Sequence, residues 1–306
     1  MLSTSRTGPV AVSDAAPAAP PWIGGGTRIV GVIGWPVSHS LSPLIHNAAF
    51  AALEMDWAYV PLPVRPGNVV EALMGLRALG FVGANATMPH KTEIAGLADE
   101  LTDDARLLRS VNTLVVTPDG IAGHNTDCPG FDRFITRDAG FDAADKTALV
   151  FGAGGAARAC AVALARGGLR ELVIALRDPS RAQSVRDAVD DIGTNVTAVT
   201  FDEAPSVTAD LVVNATPLGA HDESLPIPAL GPEVLVVDLL YRPRQTPLLA
   251  AARDAGASSY GGLGLLLHQA GLAFELWTGR PAPLEVMSAA ALTALAAPGG
   301  GETPEG

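Results

Sequence analysis

The chain has 306 residues, 48% of them hydrophobic, and carries 20 Lys and Arg residues against 32 Asp and Glu residues. This length and apolar content are sufficient for two domains with substantial cores. The net charge of -12 opposes nonspecific binding to nucleic acid or anionic lipid, and no stretch of about eighteen apolar residues lacks a charge. We therefore expect a small-molecule partner, no nucleic acid and no membrane.

Both ends of the chain differ in composition from the rest. Residues 1–27 are rich in Ala, Pro and Gly, and Asp14 and several prolines interrupt the stretch where a signal peptide would need an unbroken apolar core. We expect residues 1–27 to form a disordered extension and residues 297–306, APGGGETPEG, to form a frayed tail.

The cysteines and histidines give no metal or disulfide pattern. Cys128 and Cys160 lie far apart and fit neither a disulfide framework nor a zinc site. The six histidines occur singly, without the spacing of metal ligands. We expect no metal, and this use of cysteine favours a reducing cytoplasm.

Strand-like and helical patterns alternate from residue 28 to about residue 126. The strand-like runs are RIVGVIG, WAYVPLPV and FVGANATMP. The first helix is predicted to begin with Ser42 as its N-cap. The second helix is predicted to run through four apolar residues at helical spacing, namely Val69, Leu73, Leu76 and Leu79. This alternation predicts βαβ units and a mostly parallel sheet.

A second series of strands begins at residue 147. Its five short apolar runs are TALVFGAGG, ELVIAL, TAVTF, DLVVNAT and VLVVDLLY. Short apolar strands separated by helices indicate a doubly wound nucleotide domain. After GGLGLLLHQA, two Ala- and Leu-rich segments predict two further helices.

A glycine-rich loop follows the first strand of this second series. Residues 152–157 read GAGGAA, a variant of G-x-G-x-x-G with Ala157 in the sixth position. Glycine permits the tight turn and lets backbone N–H groups approach a pyrophosphate, which then sits at the positive end of the following helix. The flanking strand and helix, and a second strand about twenty residues on, favour a dinucleotide site over a plain glycine-rich turn.

The residues after that second strand bear on the choice of nicotinamide cofactor. An NAD enzyme places Asp or Glu at the strand end to hold the ribose 2'-hydroxyl, whereas this chain has Leu176. Arg177 and Arg181 follow, and both are suited to a 2'-phosphate. Asp178 lies between them and would favour NAD if it turned toward the ribose; two solvated arginines on a loop are the remaining alternative. NADP is the favoured interpretation, with NAD possible.

Polar segments follow the strands of the first series. Ser40 and Ser42 in SHSLSP come after the first strand. Three further segments lie at or just past predicted strand ends: NATMPHK at 85–91, SVNT at 110–113 and NTD at 125–127. Open α/β sheets bind ligands at the carboxyl ends of their strands, and hydroxyls clustered there suit a polyhydroxylated ligand.

Together with GGLGLLLHQA, these motifs stand in the order found in the shikimate dehydrogenase family, the shikimate/quinate 5-dehydrogenases, which the chain resembles over most of residues 28–290. The resemblance implies two α/β domains with the active site in the cleft between them. Residues 28–126 and 262–296 would form the substrate-binding domain. Residues 127–261 would form a Rossmann-type NADP domain inserted into it.

The resemblance also implies roles for individual residues. Ser40 and Ser42 would hold the substrate carboxylate, and Lys91 and Asp127 would be the catalytic pair. The remaining substrate contacts would come from Thr87, Asn112, Tyr241 and Gln269. The cofactor contacts would come from Gly152, Ala153, Gly154, Gly155, Ala156, Arg177, Arg181 and Gly262.

The activity implied is the reversible NADP-dependent reduction of 3-dehydroshikimate to shikimate, in chorismate and aromatic amino-acid biosynthesis. Lys91 beside Asp127 is suited to stabilise and protonate the oxygen of the C3 ketone. One alternative is a quinate/shikimate dehydrogenase using NAD, against which Ser42 argues because quinate-using relatives often carry threonine there. The other is a non-catalytic ligand sensor, against which the presence of Lys91 and Asp127 argues. We expect a monomer or a homodimer.

Overall fold

The computed structural model describes residues 23–221, 223 and 225–297. Most of the predicted extension, residues 1–22, and residues 298–306 of the predicted tail lie outside the described residues. The last part of the extension is described and is anchored: Gly24 N donates to Thr27 Oγ1 at 2.9 Å, and Thr27 Oγ1 donates to Asp56 Oδ1 at 2.6 Å. Thr27 therefore belongs to the folded unit, directly before the first strand.

The described chain forms two six-stranded sheets, which confirms the predicted α/β class. The first sheet contains β1 (Arg28–Gly34), β2 (Trp57–Pro63), β3 (Gly83–Ala86), β4 (Glu100–Leu101), β5 (Thr113–Thr117) and β6 (Gly120–His124). Their order is β2-β1-β3-β5-β6-β4. Strand β5 runs antiparallel to β3 and β6, while the other pairings are parallel. The sheet is therefore mixed, because β5 and β6 form a hairpin closed by the pair Thr117 and Gly120.

The sequence of each strand fits its place in this sheet. Central strand β1 is buried from Val30 to Gly34, as expected of a strand covered on both faces. Edge strand β2 contains Pro61 and Pro63. Proline lacks the N–H that a central strand must donate to its second neighbour, so these residues are suited to an edge.

The second sheet is entirely parallel among the described residues. Its strands are β7 (Thr147–Phe151), β8 (Glu171–Leu176), β9 (Asn195–Thr200), β10 (Leu211–Asn214), β11 (Leu235–Asp238) and β12 (Ser258–Gly261). The order β12-β11-β10-β7-β8-β9 is the dinucleotide-binding order, with its reversal between β7 and β10. Strand β12 was not among the predicted runs, because SSYG is a short edge strand with both serines exposed and no apolar run.

Ten α-helices are present in the described residues: α1 (Ser42–Ala52), α2 (Val69–Ala78), α3 (Lys91–Ala95), α4 (Asp103–Leu108), α5 (Asp127–Arg133), α6 (Gly155–Arg166), α7 (Gln183–Val189), α8 (Pro247–Asp254), α9 (Leu263–Thr278) and α10 (Leu284–Ala296). Two details of the helix prediction are wrong. Ser42 is the first helical residue and Leu41 is the N-cap. Leu79 follows the end of α2 and is 76% exposed.

Helices α9 and α10 return to the first sheet although they follow the second sheet in the sequence. Phe274 and Trp277 of α9 and Met287 of α10 lie in one buried cluster with Phe50 of α1. The indole Nε1 of Trp277 donates to the backbone oxygen of Leu114 in β5 at 2.9 Å. The second sheet is thus inserted between two parts of the chain that pack together, as the resemblance implies.

The described residues contain neither a membrane-spanning helix nor a disulfide. Among the described residues, no helix is both long and apolar enough to cross a bilayer. Cys128 and Cys160 carry free thiols and are buried in the core beside the second sheet. Burial raises the pKa of the Cys128 thiol to about 12, so this side chain behaves as a small neutral core residue.

The contact between β3 and α9 generates a stability prediction. A Cβ at Gly83 would overlap the backbone oxygen of Leu114 and Nε1 of Trp277. Gly83→Ala is therefore expected to lower the free energy of unfolding by about 1 to 3 kcal/mol, because backbone and a buried indole cannot move aside cheaply. Urea denaturation followed by circular dichroism measures this change.

Gly75 provides the matched control for this substitution. It lies inside α2, and a Cβ there would meet no atom within 4 Å. Gly75→Ala is expected to raise the free energy of unfolding by about 0.5 to 1 kcal/mol, because alanine loses less conformational entropy in a helix. Equal denaturation midpoints for the two variants would contradict the packing argument.

Candidate active site

A cleft of about 220 Å³ lies between the carboxyl edge of the first sheet and the beginning of α9. All residues predicted for catalysis and substrate binding line it: Ser40, Ser42, Thr87, Lys91, Asn112, Asp127, Tyr241 and Gln269. Ala156 of α6 and Gly262, both predicted for the cofactor, line it as well. The cleft therefore joins the predicted substrate site to the beginning of the predicted dinucleotide site.

The antiparallel strand β5 brings three polar segments to one edge of the first sheet. Asn85 in β3 is paired with Thr113, the first residue of β5, and Thr113 is paired with His124, the last residue of β6. The segment 110–113 was predicted to lie at or past a strand end, whereas it leads into the start of β5. It reaches the same edge because β5 runs in the opposite direction to β3.

Lys91 and Asp127 form an ion pair in this cleft. The Lys91 Nζ to Asp127 Oδ2 distance is 2.6 Å. Lys91 is the first residue of α3 and Asp127 the first residue of α5, so two different helix starts present the pair. Their side chains are 24% and 10% exposed, and the interaction between charges is stronger in such a partly buried place than in open solvent.

Asn112 fixes the other oxygen of the Asp127 carboxylate. Asn112 Nδ2 donates to Asp127 Oδ1 at 2.8 Å, and its Oδ1 accepts from Thr126 N at 2.7 Å. The Gln269 Oε1 atom lies 3.5 Å from the same Nδ2. With Lys91 on one carboxylate oxygen and Asn112 on the other, the orientation of Asp127 is defined by side chains from two separate segments of the chain.

A second set of buried polar residues, behind the ion pair, holds the backbone of Asn112. Tyr59 Oη donates to Asn85 Oδ1 at 2.7 Å, and Asn85 Nδ2 donates to Thr113 Oγ1 at 3.0 Å and to the backbone oxygen of Asn112 at 3.1 Å. Burial raises the pKa of Tyr59, so the phenol stays protonated and keeps donating. These bonds satisfy polar groups that would otherwise destabilise the buried edge.

Asn125 anchors the beginning of α5. Its Oδ1 accepts from Asp127 N at 3.0 Å and from Cys128 N at 3.2 Å, and its Nδ2 donates to the backbone oxygen of Ser110 at 2.9 Å. The first N–H groups of a helix have no partner inside the helix, so Asn125 both satisfies them and sets the position of the Asp127 backbone.

The two predicted carboxylate-binding serines differ in exposure and bonding. Ser42 is buried, while Ser40 is intermediate, and Ser42 N donates to Ser40 Oγ at 3.2 Å. The capping role predicted for Ser42 is therefore taken by the hydroxyl of Ser40. Both residues line the cleft at the beginning of α1, where the positive end of the helix favours an anion.

Tyr241 enters the cleft from the loop after β11, and Asp238 holds that loop. The buried Asp238 carboxylate accepts from Thr246 Oγ1 at 2.6 Å, from Asn214 Nδ2 at 2.9 Å and from Leu240 N at 3.1 Å. Burial raises the pKa of Asp238. The network ties the loop after β10 to the loop that carries Tyr241.

The glycine-rich loop has the geometry of a dinucleotide site. Gly152 has a φ of +104° and lies against Ala215 and Thr216, so a side chain there would be strained as well as crowded. A Cβ at Gly154 would meet nothing within 4 Å, so the backbone at this position is open to a ligand. Helix α6 begins at Gly155, which aims its N-terminal N–H groups at that space.

The residues after β8 lie outside the cleft. Asp178 Oδ1 accepts from Ser180 N at 3.0 Å and from Ser180 Oγ at 2.7 Å, which caps the 3-10 helix Pro179–Ala182. These bonds lower the pKa of Asp178. Arg177 Nη2 forms an ion pair with Glu223 Oε2 at 2.5 Å, and Arg181 lies within the 3-10 helix.

Several residues of the site had no predicted role. Asn85 lies in the NATMPHK motif and Asn125 lies two residues before Asp127. Only their places in these motifs could have indicated a role in the site. Leu239, Leu265 and Leu266 form the apolar wall of the cleft, and nothing in a leucine's sequence context separates a cleft wall from a core. Nothing in the sequence around Glu223 indicates its contact with Arg177.

The fold and the cleft together define a two-sheet α/β dehydrogenase with a dinucleotide domain. Three family models match the chain. The model of the shikimate dehydrogenase substrate binding domain matches residues 32–114, and the model of shikimate/quinate 5-dehydrogenase matches residues 135–221. The model of the shikimate 5'-dehydrogenase C-terminal domain matches residues 262–292. A shikimate dehydrogenase (NADP(+)) of Geobacter metallireducens is 44% identical over 283 residues, which are 89% of this chain and 99% of that protein.

Solved structures give the same relationship. A crystal structure of a shikimate dehydrogenase in complex with NADP+ superposes with a TM-score of 0.86 at 34% identity, covering 92% of this chain and 100% of the other. The shikimate 5-dehydrogenase of Thermus thermophilus, solved with NADP(H) and shikimate, gives 0.78 at 34% identity, covering 88% and 100%. The chain belongs to the shikimate dehydrogenase family, which confirms the resemblance seen in its motifs.

The capping role of Asn125 generates a prediction. Asn125→Ala removes the acceptor of the Asp127 and Cys128 N–H groups, and it is expected to lower the free energy of unfolding by about 1 to 2 kcal/mol. Urea denaturation measures the change. Asn68→Ala is the matched control, because Asn68 occupies the N-cap of α2 without a side-chain capping bond; a change within about 0.5 kcal/mol is expected there. Equal losses in both variants would refute the assignment.

Proposed function

We propose that the chain catalyses the reversible NADP-dependent reduction of 3-dehydroshikimate to shikimate. The observation that carries this proposal is the Lys91–Asp127 ion pair, held at 2.6 Å in a cleft that also contains the two serines at the start of α1. The cleft adjoins the start of α6 through Ala156. A proton donor, an anion site and a dinucleotide site therefore meet at one place.

The lining of the cleft suits a small cyclic hydroxy acid. Ser40 and Ser42 present hydroxyls at the positive end of α1, where a carboxylate is favoured. Thr87, Asn112 and Gln269 present hydroxyl and amide groups that can donate to and accept from ring hydroxyls. The apolar wall leaves one face of such a ring in contact with carbon, which is the usual composition of a small-molecule pocket.

The proposed chemistry assigns one role to each member of the ion pair. When bound, the nicotinamide supplies or accepts the hydride. Lys91 places its ammonium against the carbonyl oxygen, stabilises the negative charge that develops there and gives it a proton. Asp127 keeps the ammonium in place and accepts a hydrogen bond from the substrate hydroxyl. In the oxidation direction, Lys91 takes the proton back.

The residues of the second sheet fit NADP. The open backbone at Gly154 and the start of α6 suit the pyrophosphate, and Arg177 with Arg181 suits the 2'-phosphate. Asp178, the residue that would have favoured NAD, has Oδ1 engaged by Ser180. The Asp178 geometry counts against NAD, and the relatives named shikimate dehydrogenase (NADP(+)) count against both alternatives, a quinate/shikimate dehydrogenase using NAD and a non-catalytic sensor.

We also propose a domain organisation, an oligomeric state and a cellular location for the chain. We assign residues 28–126 and 262–296 to the substrate domain and residues 127–261 to the NADP domain, supported by the two separate sheets and by the return of α9 and α10 to the first. All residues proposed for the site come from one chain, so a monomer or a homodimer would be competent. A reducing cytoplasm suits the two buried free thiols.

Substrate and cofactor preference give the direct test of the function. Initial rates of oxidation are measured for shikimate and quinate, each with NADP+ and with NAD+. Shikimate with NADP+ is expected to give the highest kcat/KM, because Ser42 favours shikimate over quinate. NADP+ should exceed NAD+ by about ten-fold or more, because charge-assisted bonds to the 2'-phosphate have no counterpart in NAD+. A preference for quinate or for NAD+, or no turnover at all, would reject the proposal.

The role of Lys91 gives a second test. Lys91→Ala is expected to lower kcat by a factor of about 10² to 10⁴ while leaving the Kd of NADP+ unchanged, because the side chain acts at the substrate carbonyl. Lys146→Ala, which removes the chain's other lysine from an exposed pair with Asp210, serves as the control and should retain full kcat. Near-normal kcat in the Lys91 variant would remove Lys91 from the chemistry.

A further inference from the structure

The contact between Arg177 and Glu223 joins two loops at the carboxyl edge of the second sheet. Arg177 directly follows β8, and Glu223 lies in the loop after β10. The Nη2 to Oε2 distance is 2.5 Å, and the side chains are 68% and 69% exposed. Gly219 N donates to Glu223 O at 2.8 Å, which ties the backbone of Glu223 to that of Gly219.

The strand order shows where this ion pair lies relative to the glycine-rich loop. In the second sheet, β8 and β10 are the two neighbours of β7. The glycine-rich loop follows β7, so it lies between the loop that carries Arg177 and the loop that carries Glu223. An ion pair between those two loops therefore joins the opposite sides of the groove in which a dinucleotide would lie.

We propose that Glu223 is a specificity-determining residue for the cofactor: its carboxylate occupies the Arg177 guanidinium, and the 2'-phosphate of NADP has to displace it, whereas NAD does not. This inference rests on the proposed function, in which Arg177 binds the 2'-phosphate. It adds that the preference for NADP over NAD is smaller than the two arginines alone would give.

The charges indicate that the 2'-phosphate can displace Glu223 and that Glu223 does not block Arg177 permanently. A phosphate monoester carries about 1.5 to 2 negative charges near neutral pH, against one on a carboxylate. The Glu223 side chain is largely exposed, so it can turn into solvent when a phosphate takes its place. Exposed ion pairs have coupling energies that correspond to a factor of about 1.5 to 5 in an equilibrium constant, so the phosphate prevails at a modest cost in affinity.

Asp178 does not offer an equivalent competitor. Its Oδ1 atom accepts both bonds from Ser180, and this capping geometry orients the carboxylate toward its own 3-10 helix. Glu223 is thus the carboxylate that contacts Arg177 among the described residues. The effect on the cofactor should follow from the charge of Glu223 and depend on the presence of Arg177.

Glu223→Gln tests this inference because glutamine keeps the size and removes the charge. Isothermal titration calorimetry on the full chain measures Kd for NADP+ and for NAD+. The variant is expected to bind NADP+ about two- to five-fold more tightly and NAD+ unchanged. Glu233→Gln is the matched control, since it removes the same charge from another exposed position between β10 and β11 and should leave both Kd values unchanged.

A double-mutant cycle with Arg177→Ala completes the test. Arg177→Ala alone is expected to weaken NADP+ binding, and adding Glu223→Gln to it should restore nothing. Unchanged or weaker NADP+ binding by Glu223→Gln would overturn the inference, as would equal tightening in the Arg177→Ala background. Failure of the proposed function is separate: the unmodified chain would then bind NADP+ no better than NAD+, or fail to oxidise shikimate.

Discussion

The structure depends on placing one charged pair, Lys91 and Asp127, in a partly buried cleft. A charge removed from water needs a partner and hydrogen bonds to its remaining atoms, because an unpaired buried charge costs several kcal/mol. Asp127 has Lys91 on one oxygen and Asn112 on the other. These three residues come from three different segments, so the end of β3, the start of β5 and the end of β6 must meet at one edge of the sheet.

The hairpin of β5 and β6 is what brings them together. An all-parallel arrangement would place the residue before β5 at the opposite edge, because the amino ends of parallel strands lie away from their carboxyl ends. The register that pairs Asn85 with Thr113 and Thr113 with His124 is therefore part of the site. A slip of one residue would turn Asn85 to the other face of the sheet and remove the support of Asn112.

The sequence predicted those features that leave a local pattern. Strands buried on both faces appear as apolar runs, and the glycine-rich loop appears because its backbone geometry favours glycine. Strand β12 escaped prediction because an exposed edge strand needs no apolar run. The cap at α1 was misplaced, since Ser40 and Ser42 are chemically equivalent in the sequence. The Glu223 contact with Arg177 depends on tertiary structure alone, and no spacing rule connects two loops so far apart.

The cleft and the loops after β8 and β10, which lie outside it, are held by different kinds of interaction. Inside the cleft, buried hydrogen bonds fix Asp127 and Asn112, and each lost bond leaves a polar group unsatisfied at a cost of about 1 to 3 kcal/mol. Outside the cleft, Arg177 and Glu223 are mostly exposed, and an exposed ion pair is worth about 0 to 1 kcal/mol. If the proposed roles hold, substitutions that alter substrate recognition must preserve a whole network, whereas a change at the exposed Glu223 carboxylate would alter cofactor preference without loss of stability. The proposed roles thus make substrate choice depend on buried contacts and cofactor choice on exposed ones.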